Sequence, residues 1–196
     1  MDDPVSALKE RIRTVLERRS RQTVEREGLV PAAVLLPLLL RPDGLRVLFT
    51  KRSEHVAHHK GQISFPGGTV DAGDQSRLHT ALREAQEEIG LAPESVEILG
   101  SLDDLETVVT GFVVTPFVGV VSSPFTYLPD GEEIERVIEV PLSVLLDPAN
   151  FRVESWMRNG KPHPVYVYTC NDEVIWGLTA AILKQLLDLV FGERLA

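Results

Sequence analysis

Three closely spaced glutamates are the residues of this chain best suited to chemistry. Glu84, Glu87 and Glu88 fall within the segment Arg83-Glu84-Ala85-Gln86-Glu87-Glu88-Ile89-Gly90. Residues three and four positions apart share one face of an α-helix, so these carboxylates would crowd together. Such a cluster is either a solvated acidic face or a binding site for a hard cation such as Mg²⁺, which prefers oxygen ligands.

A glycine turn before the helix favours the cation site. The stretch Phe65-Pro66-Gly67-Gly68 ends in two residues without side chains, so main-chain groups there can approach a phosphate or a metal closely. Divalent cations bound beside this turn would neutralise phosphates, orient them and acidify a water for attack on phosphorus. The residues therefore point to metal-assisted hydrolysis of a phosphate compound.

Hydrophobic periodicity and turn signals predict the elements that position these residues. Helices are expected over residues 5–19, 76–89 and 177–191, the second of them ending at Gly90. Residues 55–73 show no sustained period and predict a long functional loop. Strands are expected over residues 29–40, 45–51, 95–101, 111–121, 134–140, 151–158 and 163–169, with Asn159-Gly160 as a hairpin turn. This order predicts the α+β class.

Composition excludes several kinds of function. The net charge of −9 argues against passive binding to nucleic acid or to an anionic membrane. Cys170 is the only cysteine, which excludes an intrachain disulfide and a zinc site built from several thiolates. The N-terminus is acidic where a secretory signal would be basic, and the longest apolar run, 29–40, is too short to span a bilayer. We therefore expect a cytoplasmic protein.

The acidic helix and its flanks resemble the signature of the Nudix hydrolases. That signature reads Gly, five residues, Glu, seven residues, Arg-Glu, an aliphatic residue, any residue, Glu-Glu, any residue, Gly, aliphatic. This chain has Gly68, then Asp74, then the segment from Arg83 to Leu91. Asp74 replaces the glutamate and stands eight residues before Arg83, so we assign it only a structural role.

The resemblance implies a fold and a set of site residues. The fold would be an α/β/α sandwich with a mixed central sheet and a loop–helix–loop signature. Glu84, Glu87 and Glu88 would be the catalytic metal ligands for Mg²⁺ or Mn²⁺, and Arg83 would orient them by charge-assisted hydrogen bonds. The general base would be one of these glutamates or a residue from a distant loop. The distant candidates are Glu106, Glu132 and Glu133.

Residues upstream of the signature resemble the motif of the coenzyme A pyrophosphatase branch. The stretch runs from Leu48-Phe49-Thr50-Lys51-Arg52-Ser53 through His58-His59-Lys60-Gly61-Gln62-Ile63-Ser64 into Phe65-Pro66-Gly67-Gly68, and Trp176-Gly177-Leu178-Thr179-Ala180 is also similar to that branch. The implied reaction is hydrolysis of coenzyme A, or a derivative, to 4′-phosphopantetheine and adenosine 3′,5′-bisphosphate. The alternatives are another Nudix substrate such as ADP-ribose or NADH, and a non-catalytic nucleotide-binding module.

Several of these upstream residues are candidates for substrate contacts. Arg52 is the best candidate for a phosphate, because its planar fork can bind two oxygens. Lys51 and Lys60 are either additional counter-charges or ordinary surface lysines. Gln62 either contacts substrate or holds the loop. The predicted substrate-binding set is Arg52, His58, Gln62, Gly67 and Gly68.

At 196 residues the chain is the size of one domain. We expect residues 1–28 to form a helix and a lead-in packed on a Nudix hydrolase domain of residues 29–196. Apolar residues at helical spacing in 5–19 favour packing on the domain, with a dimer contact as the alternative. The protein would accordingly be a monomer or a homodimer that binds a small nucleotide substrate.

Overall fold

A mixed sheet between two layers of helices forms the centre of the molecule. The computed structural model describes residues 4–55, 60–107, 111–122, 125–158 and 160–192. His58 and the hairpin residue Asn159 lie outside them. The helices are α1 (Pro4–Glu17), α2 (Arg77–Ile89), α3 (Leu142–Leu145) and α4 (Gly177–Phe191). In the described part of the chain, none of these is long and apolar enough to cross a membrane.

Within the described residues, eight strands form the main sheet and three form a smaller antiparallel one. The main sheet contains β1 (Val30–Arg41), β2 (Gly44–Arg52), β3 (Ile63–Ser64), β4 (Gly67–Thr69), β5 (Val96–Ser101), β6 (Leu105–Glu106), β7 (Phe112–Val121) and β8 (Ile134–Pro141). The smaller sheet contains β9 (Phe151–Arg158), β10 (Lys161–Cys170) and β11 (Glu173–Trp176). Strand β1 pairs in parallel with β7 and antiparallel with β2 and β4, which makes the main sheet mixed.

The central strand β1 is apolar on both faces because helices cover both sides of the sheet. Leu35 and Leu39 lie in one core cluster with Ala81 and Ala85 of α2. Their neighbours on the opposite face, Leu36 and Leu38, belong to a second cluster that includes residues of α1 and α4. The two clusters confirm the α/β/α sandwich.

The predicted loop over 55–73 contains two short strands, so that prediction was wrong for residues 63–64 and 67–69. Strands β1 and β2 pair directly only near their turn, over Leu38–Arg41 and Gly44–Val47. Farther along, β3 pairs with β2 and β4 pairs with β1. Between them the amide of Leu35 donates to the carbonyl of Pro66 at 2.9 Å. Segments this short acquire their strand geometry from the strands with which they pair. They are too short to show the alternation of apolar and polar residues by which a strand is recognised in a sequence.

Helix α1 packs against β5 and α4, and Ile12 and Leu16 on one of its faces are buried. The stretch that follows, residues 18–26, is held against the turn between β5 and β6 by its own hydrogen bonds. The N-terminal region thus packs on β5, on α4 and on the turn between β5 and β6. The domain boundary at residue 28 stays a prediction.

Candidate active site

Helix α2 begins and ends where its capping residues predict. The hydroxyl of Ser76 accepts a hydrogen bond from the amide of His79 at 3.1 Å, which satisfies an N-terminal donor. At the other end Gly90 takes φ 72° and donates to the carbonyls of Ala85 and Gln86. Glycine adopts this left-handed conformation without a steric penalty. The apolar face of the helix packs on β1, which fixes the direction of its glutamates.

Glu88 is a buried carboxylate. Glu88 is 4% exposed, and its Oε2 accepts a hydrogen bond from the amide of Gly67 at 3.3 Å. Burial raises the pKa of Glu88 to about 8, and the negative charges of Glu133 and Glu84 add to that effect while Arg52 opposes it. Two further carboxylates are therefore close enough to interact with Glu88, which gives this part of the protein an excess of negative charge.

Gly68 makes room for the carboxylate of Glu84. A Cβ on Gly68 would lie less than 3.0 Å from Oε1 of Glu84, closer than real Cβ atoms approach other atoms. Gly67 has φ +156°, and a Cβ there would clash with the carbonyl oxygen of Ala33 in β1. The two predicted substrate-binding glycines thus have structural reasons to lack side chains, and both lie against the acidic helix.

Arg83 connects the glutamates of α2 to the loop before the helix. Its Nη1 lies 2.9 Å from Oε1 of Glu84 and 2.9 Å from Oε2 of Glu87. Its Nε and Nη2 each lie 3.0 Å from an oxygen of Asp74, in a bidentate pair. The side chain of Glu87 is 59% exposed, so this residue faces solvent beside Arg83 rather than the buried Glu88.

Asp74 organises the loop before α2. Its side chain is 1% exposed and accepts hydrogen bonds from Arg83 and from the hydroxyl of Thr80 at 2.8 Å. The Arg83 guanidinium, the Asp71 backbone amide and the Thr80 hydroxyl hold the pKa of Asp74 well below its usual range. These contacts join the loop to Thr80 and Arg83 of α2, and the structural role of Asp74 stays a prediction.

Replacing Asp74 by Asn is expected to destabilise the protein near neutral pH. A depressed carboxyl pKa adds stability that is present above the unfolded pKa of 3.8 and is lost as pH falls below it. The gap between the native protein and Asp74→Asn in urea unfolding should therefore be largest near pH 7 and narrow between pH 4 and pH 2. A gap that does not change over this pH range would show that the charge of Asp74 contributes nothing.

Of the three distant base candidates, Glu133 lies near Glu88. Its carboxylate pairs with Nη2 of Arg52 at 2.6 Å, and its carbonyl accepts from the amide of Ser53 at 2.8 Å. Glu106 instead pairs with Arg26 at 2.6 Å on strand β6. Glu132 is exposed. The structure therefore brings Arg52 and Glu133 together at the end of β2.

Asp130 positions Glu133 and was not identified from the sequence. Its Oδ1 accepts from the amides of Glu133 at 3.0 Å and Ile134 at 2.8 Å. Its own amide donates to the carbonyl of Glu88 at 3.1 Å, so the same turn closes the C-terminal end of α2. The signal available in the sequence was the pair Asp130-Gly131, which is common in turns.

The remaining candidates lie at other places. Lys51 is 3.4 Å from Glu173 of β11, an ion pair on the sheet face opposite α2. The carbonyl of Gln62 accepts from the amide of Arg52 at 2.9 Å, so the main chain of Gln62 closes the base of the loop. Lys60 is exposed, as expected for an ordinary surface lysine.

The donor chemistry of the cluster fits a divalent cation. Buried Glu88 and the partly buried Glu84 supply hard oxygen donors, and their raised pKa values show that a cation bound beside them would be stabilised by their ionised forms. No three His, Cys, Asp or Glu side chains converge on one point among the described residues, because Glu87 turns toward Arg83. Magnesium is commonly held by one or two carboxylates, with water and substrate phosphates completing its coordination shell, and this cluster suits that mode.

Comparison with known proteins identifies the family. Residues 30–163 match the NUDIX domain model. The chain belongs to the Nudix family. It is 43% identical over 156 residues to the uncharacterized Nudix hydrolase NudL of Enterobacter sp. (strain 638), a match covering 79% of this chain and 80% of that protein. The protein of the same description from Yersinia enterocolitica is 41% identical, covering 81% and 80%.

Solved structures support the Nudix fold. A Nudix hydrolase from Alicyclobacillus acidocaldarius superposes with a TM-score of 0.52 at 19% identity, covering 60% of this chain and 81% of that one. A binary complex of the Ap4A hydrolase of C. elegans gives a TM-score of 0.50 at 19% identity, covering 60% and 84%. At this identity the likeness shows the fold alone. Nudix hydrolases generally use divalent metals such as Mg²⁺ or Mn²⁺ and act on nucleotide-type substrates.

Proposed function

We propose that this Nudix hydrolase cleaves the diphosphate linkage of coenzyme A and its derivatives, producing 4′-phosphopantetheine and adenosine 3′,5′-bisphosphate. The observation that carries the proposal is where the described residues 48–55 and 60–68 lie. This segment, which carries the resemblance to the coenzyme A branch, runs through β2 and β3 and ends at Gly67 and Gly68 of β4, against Glu84 and Glu88. The residues proposed to recognise the substrate therefore lie next to the glutamates proposed to hold the catalytic metal.

Arg52 would bind a phosphate of the substrate. Its guanidinium lies at the end of β2, close enough to Glu88 to oppose the rise of that residue's pKa. Its Nε is buried and has no hydrogen-bond partner among the described residues, and a buried donor of this kind supports the proposal that an anion binds at Arg52. His58, Gln62, Gly67 and Gly68 complete the proposed substrate-binding set, His58 on the resemblance alone.

Glu84 and Glu88 would hold Mg²⁺ or Mn²⁺, while Glu87, the third ligand that the resemblance implies, pairs with Arg83 at the solvent-exposed side of the helix. Arg83 would keep Glu84 in place. A bound divalent cation neutralises the diphosphate and acidifies a water. Glu133 is the proposed general base, because it is the distant candidate whose charge acts on both Glu84 and Glu88. Its carboxylate would accept the proton as the water oxygen bonds to phosphorus. The phosphorus–oxygen bond of the bridge then breaks, and the bridging oxygen leaves with the other product.

A substrate panel tests the proposal. Purified protein with Mg²⁺ or Mn²⁺ is offered coenzyme A, acetyl-coenzyme A, ADP-ribose, NADH and Ap4A, and products are identified by mass spectrometry. We expect coenzyme A or its acyl derivative to give the highest kcat/KM. Reaction in ¹⁸O-labelled water will show which product receives the water oxygen and hence which phosphorus is attacked.

The alternatives give different results in the same panel. Much faster turnover of ADP-ribose, NADH or Ap4A than of coenzyme A would overturn the substrate assignment and leave the Nudix chemistry intact. Tight binding of a nucleotide without turnover of any compound would indicate a binding module instead. All three glutamates of the signature are present, which supports the catalytic alternative.

A further inference from the structure

The N-terminal end of α2 carries a charge of unfavourable sign. Arg77 is the first residue of the helix, and the first turn contains no acidic residue. A cation at this end opposes the helix dipole, whose N-terminus is already positive. Negative charge must therefore come from outside the helix, and two buried carboxylates provide it. One is Asp74, described above, and the other is Asp104, which follows β5.

Asp104 binds both α2 and the sheet beneath it. Its side chain is 1% exposed, and its Oδ2 lies 3.1 Å from Nη1 of Arg77. The hydroxyl of Thr115, on β7, donates to Oδ1 of Asp104 at 2.6 Å. Arg77 Nη1 also donates to that hydroxyl oxygen at 2.7 Å. The three side chains form a closed triangle that fixes the first turn of the helix on the sheet.

The other side of Asp104 is covered by residues 18–26, which we term the N-terminal arm. Nη1 of Arg21 lies 3.1 Å from Oδ1 of Asp104, and the amide of Val24 donates to Oδ2 at 3.1 Å. The amide of Asp104 in turn donates to the carbonyl of Gln22 at 3.0 Å. This arm lies outside the matched Nudix segment of residues 30–163.

We propose that the N-terminal arm positions the catalytic helix through Asp104, so that Arg21, Arg77 and Asp104 are positioning residues for hydrolysis. The proposal rests on the proposed metal role of Glu84 and Glu88. Without Arg21 and the cover of the arm, Asp104 becomes exposed to water, where its attraction to Arg77 is weak. The first turn of α2 then loosens, and the carboxylates farther along the rigid helix shift with it.

The test compares four variants of the full-length chain with the native protein. These are Arg21→Ala, Arg77→Ala, the double variant and Arg13→Ala. The last is a matched control, because Arg13 pairs with Glu97 of β5 and has no contact with α2 among the described residues. Hydrogen exchange of the peptide covering 77–89, Mn²⁺ binding by calorimetry, and kcat and KM for the best substrate of the panel are measured for each.

We expect Arg21→Ala and Arg77→Ala each to speed exchange in the first turn of α2, weaken Mn²⁺ binding and lower kcat about three- to tenfold, with KM within about twofold of native. The double variant should be no worse than the more impaired single variant, because both act through Asp104. Arg13→Ala should match native protein in all three. If a single variant does not fold, Asp104→Asn, which keeps the shape of the side chain, is used in its place and should show the same losses.

The proposal fails if the losses of the two single variants add in the double variant, or if Arg21→Ala behaves like Arg13→Ala. A fall in melting temperature with unchanged kcat and Mn²⁺ binding would also overturn it, since that pattern belongs to a merely structural contact. Hydrogen exchange requires no substrate, so failure of the coenzyme A assignment leaves this test intact.

Discussion

Replacing Glu88 by Gln is expected to lower kcat at least about a hundredfold while preserving the fold. Gln has the same shape and can still accept the hydrogen bond from the amide of Gly67. It cannot supply the negative charge that the proposed metal site requires. The measurement is kcat for the best substrate at saturating Mn²⁺, with circular dichroism to verify folding.

The same substitution should stabilise the metal-free protein at alkaline pH. The pKa of Glu88 is about 8, above the usual 4.5, so the folded state holds this proton more tightly than the unfolded chain. Stability linked to the proton is complete below about pH 4.5 and is lost as pH rises through 8. In EDTA at pH 8, Glu88→Gln should therefore raise the free energy of unfolding by about 1–3 kcal/mol, and the gain should shrink toward pH 4.5.

Glu94→Gln is the matched control, because Glu94 is an exposed residue shortly after α2. It should leave both kcat and stability near native. Activity of Glu88→Gln within a few fold of native would remove Glu88 from the proposed metal ligands. A less stable metal-free variant at pH 8 would instead show that the buried charge of Glu88 is compensated by its neighbours.

Replacing Gly68 by Ala is expected to impair catalysis more than stability. The added Cβ would overlap the carboxylate of Glu84. That carboxylate ends a flexible side chain, so it can swing aside at little cost to the fold, but it then leaves the place where we propose it binds metal. We expect kcat to fall about ten- to a hundredfold and the free energy of unfolding to change by less than about 1 kcal/mol.

Gly73→Ala provides a control for glycine replacement in the loop that follows β4, since a Cβ there would meet no atom of the described residues within 4 Å. Its kcat should equal that of the native protein. If Gly68→Ala retains full activity, the position of Glu84 is unimportant for the reaction. If it unfolds as readily as a core variant, the contact serves packing and not catalysis.

The features predictable from the sequence are those encoded locally. Helix α2 was expected over 76–89 and spans Arg77–Ile89, because its apolar period and its cap at Gly90 lie within a few turns of the chain. The clustering of Glu84 with Glu88 follows from the same period. Strands β3 and β4 were not predicted, because they are only two and three residues long. They form where β1 and β2 diverge, since β2 then pairs with β3 and β1 with β4.

The position of Glu133 could not be predicted from the sequence, because it depends on contacts between residues far apart in the chain. Glu106, Glu132 and Glu133 were equivalent candidates in the sequence, because nothing local distinguishes them. Antiparallel pairing of β8 with β2, with an irregularity between Lys51 and Arg52, brings Glu133 to Arg52. Such long-range pairing is not visible in a single sequence. The turn at Asp130-Gly131 was not predicted either, although a pair of this kind is common in turns.

The segment between β2 and β3 is closed at its base by the hydrogen bond from the amide of Arg52 to the carbonyl of Gln62, and the amide of Ser53 joins its start to the carbonyl of Glu133 before β8. Such a closed loop can gain or lose residues cheaply, since each doubling of loop length costs only about 0.6 kcal/mol. Insertions there would leave Gly67, Gly68 and helix α2 where they are. A change in the length of this loop would thus alter substrate preference during evolution, while the residues proposed for catalysis keep their positions.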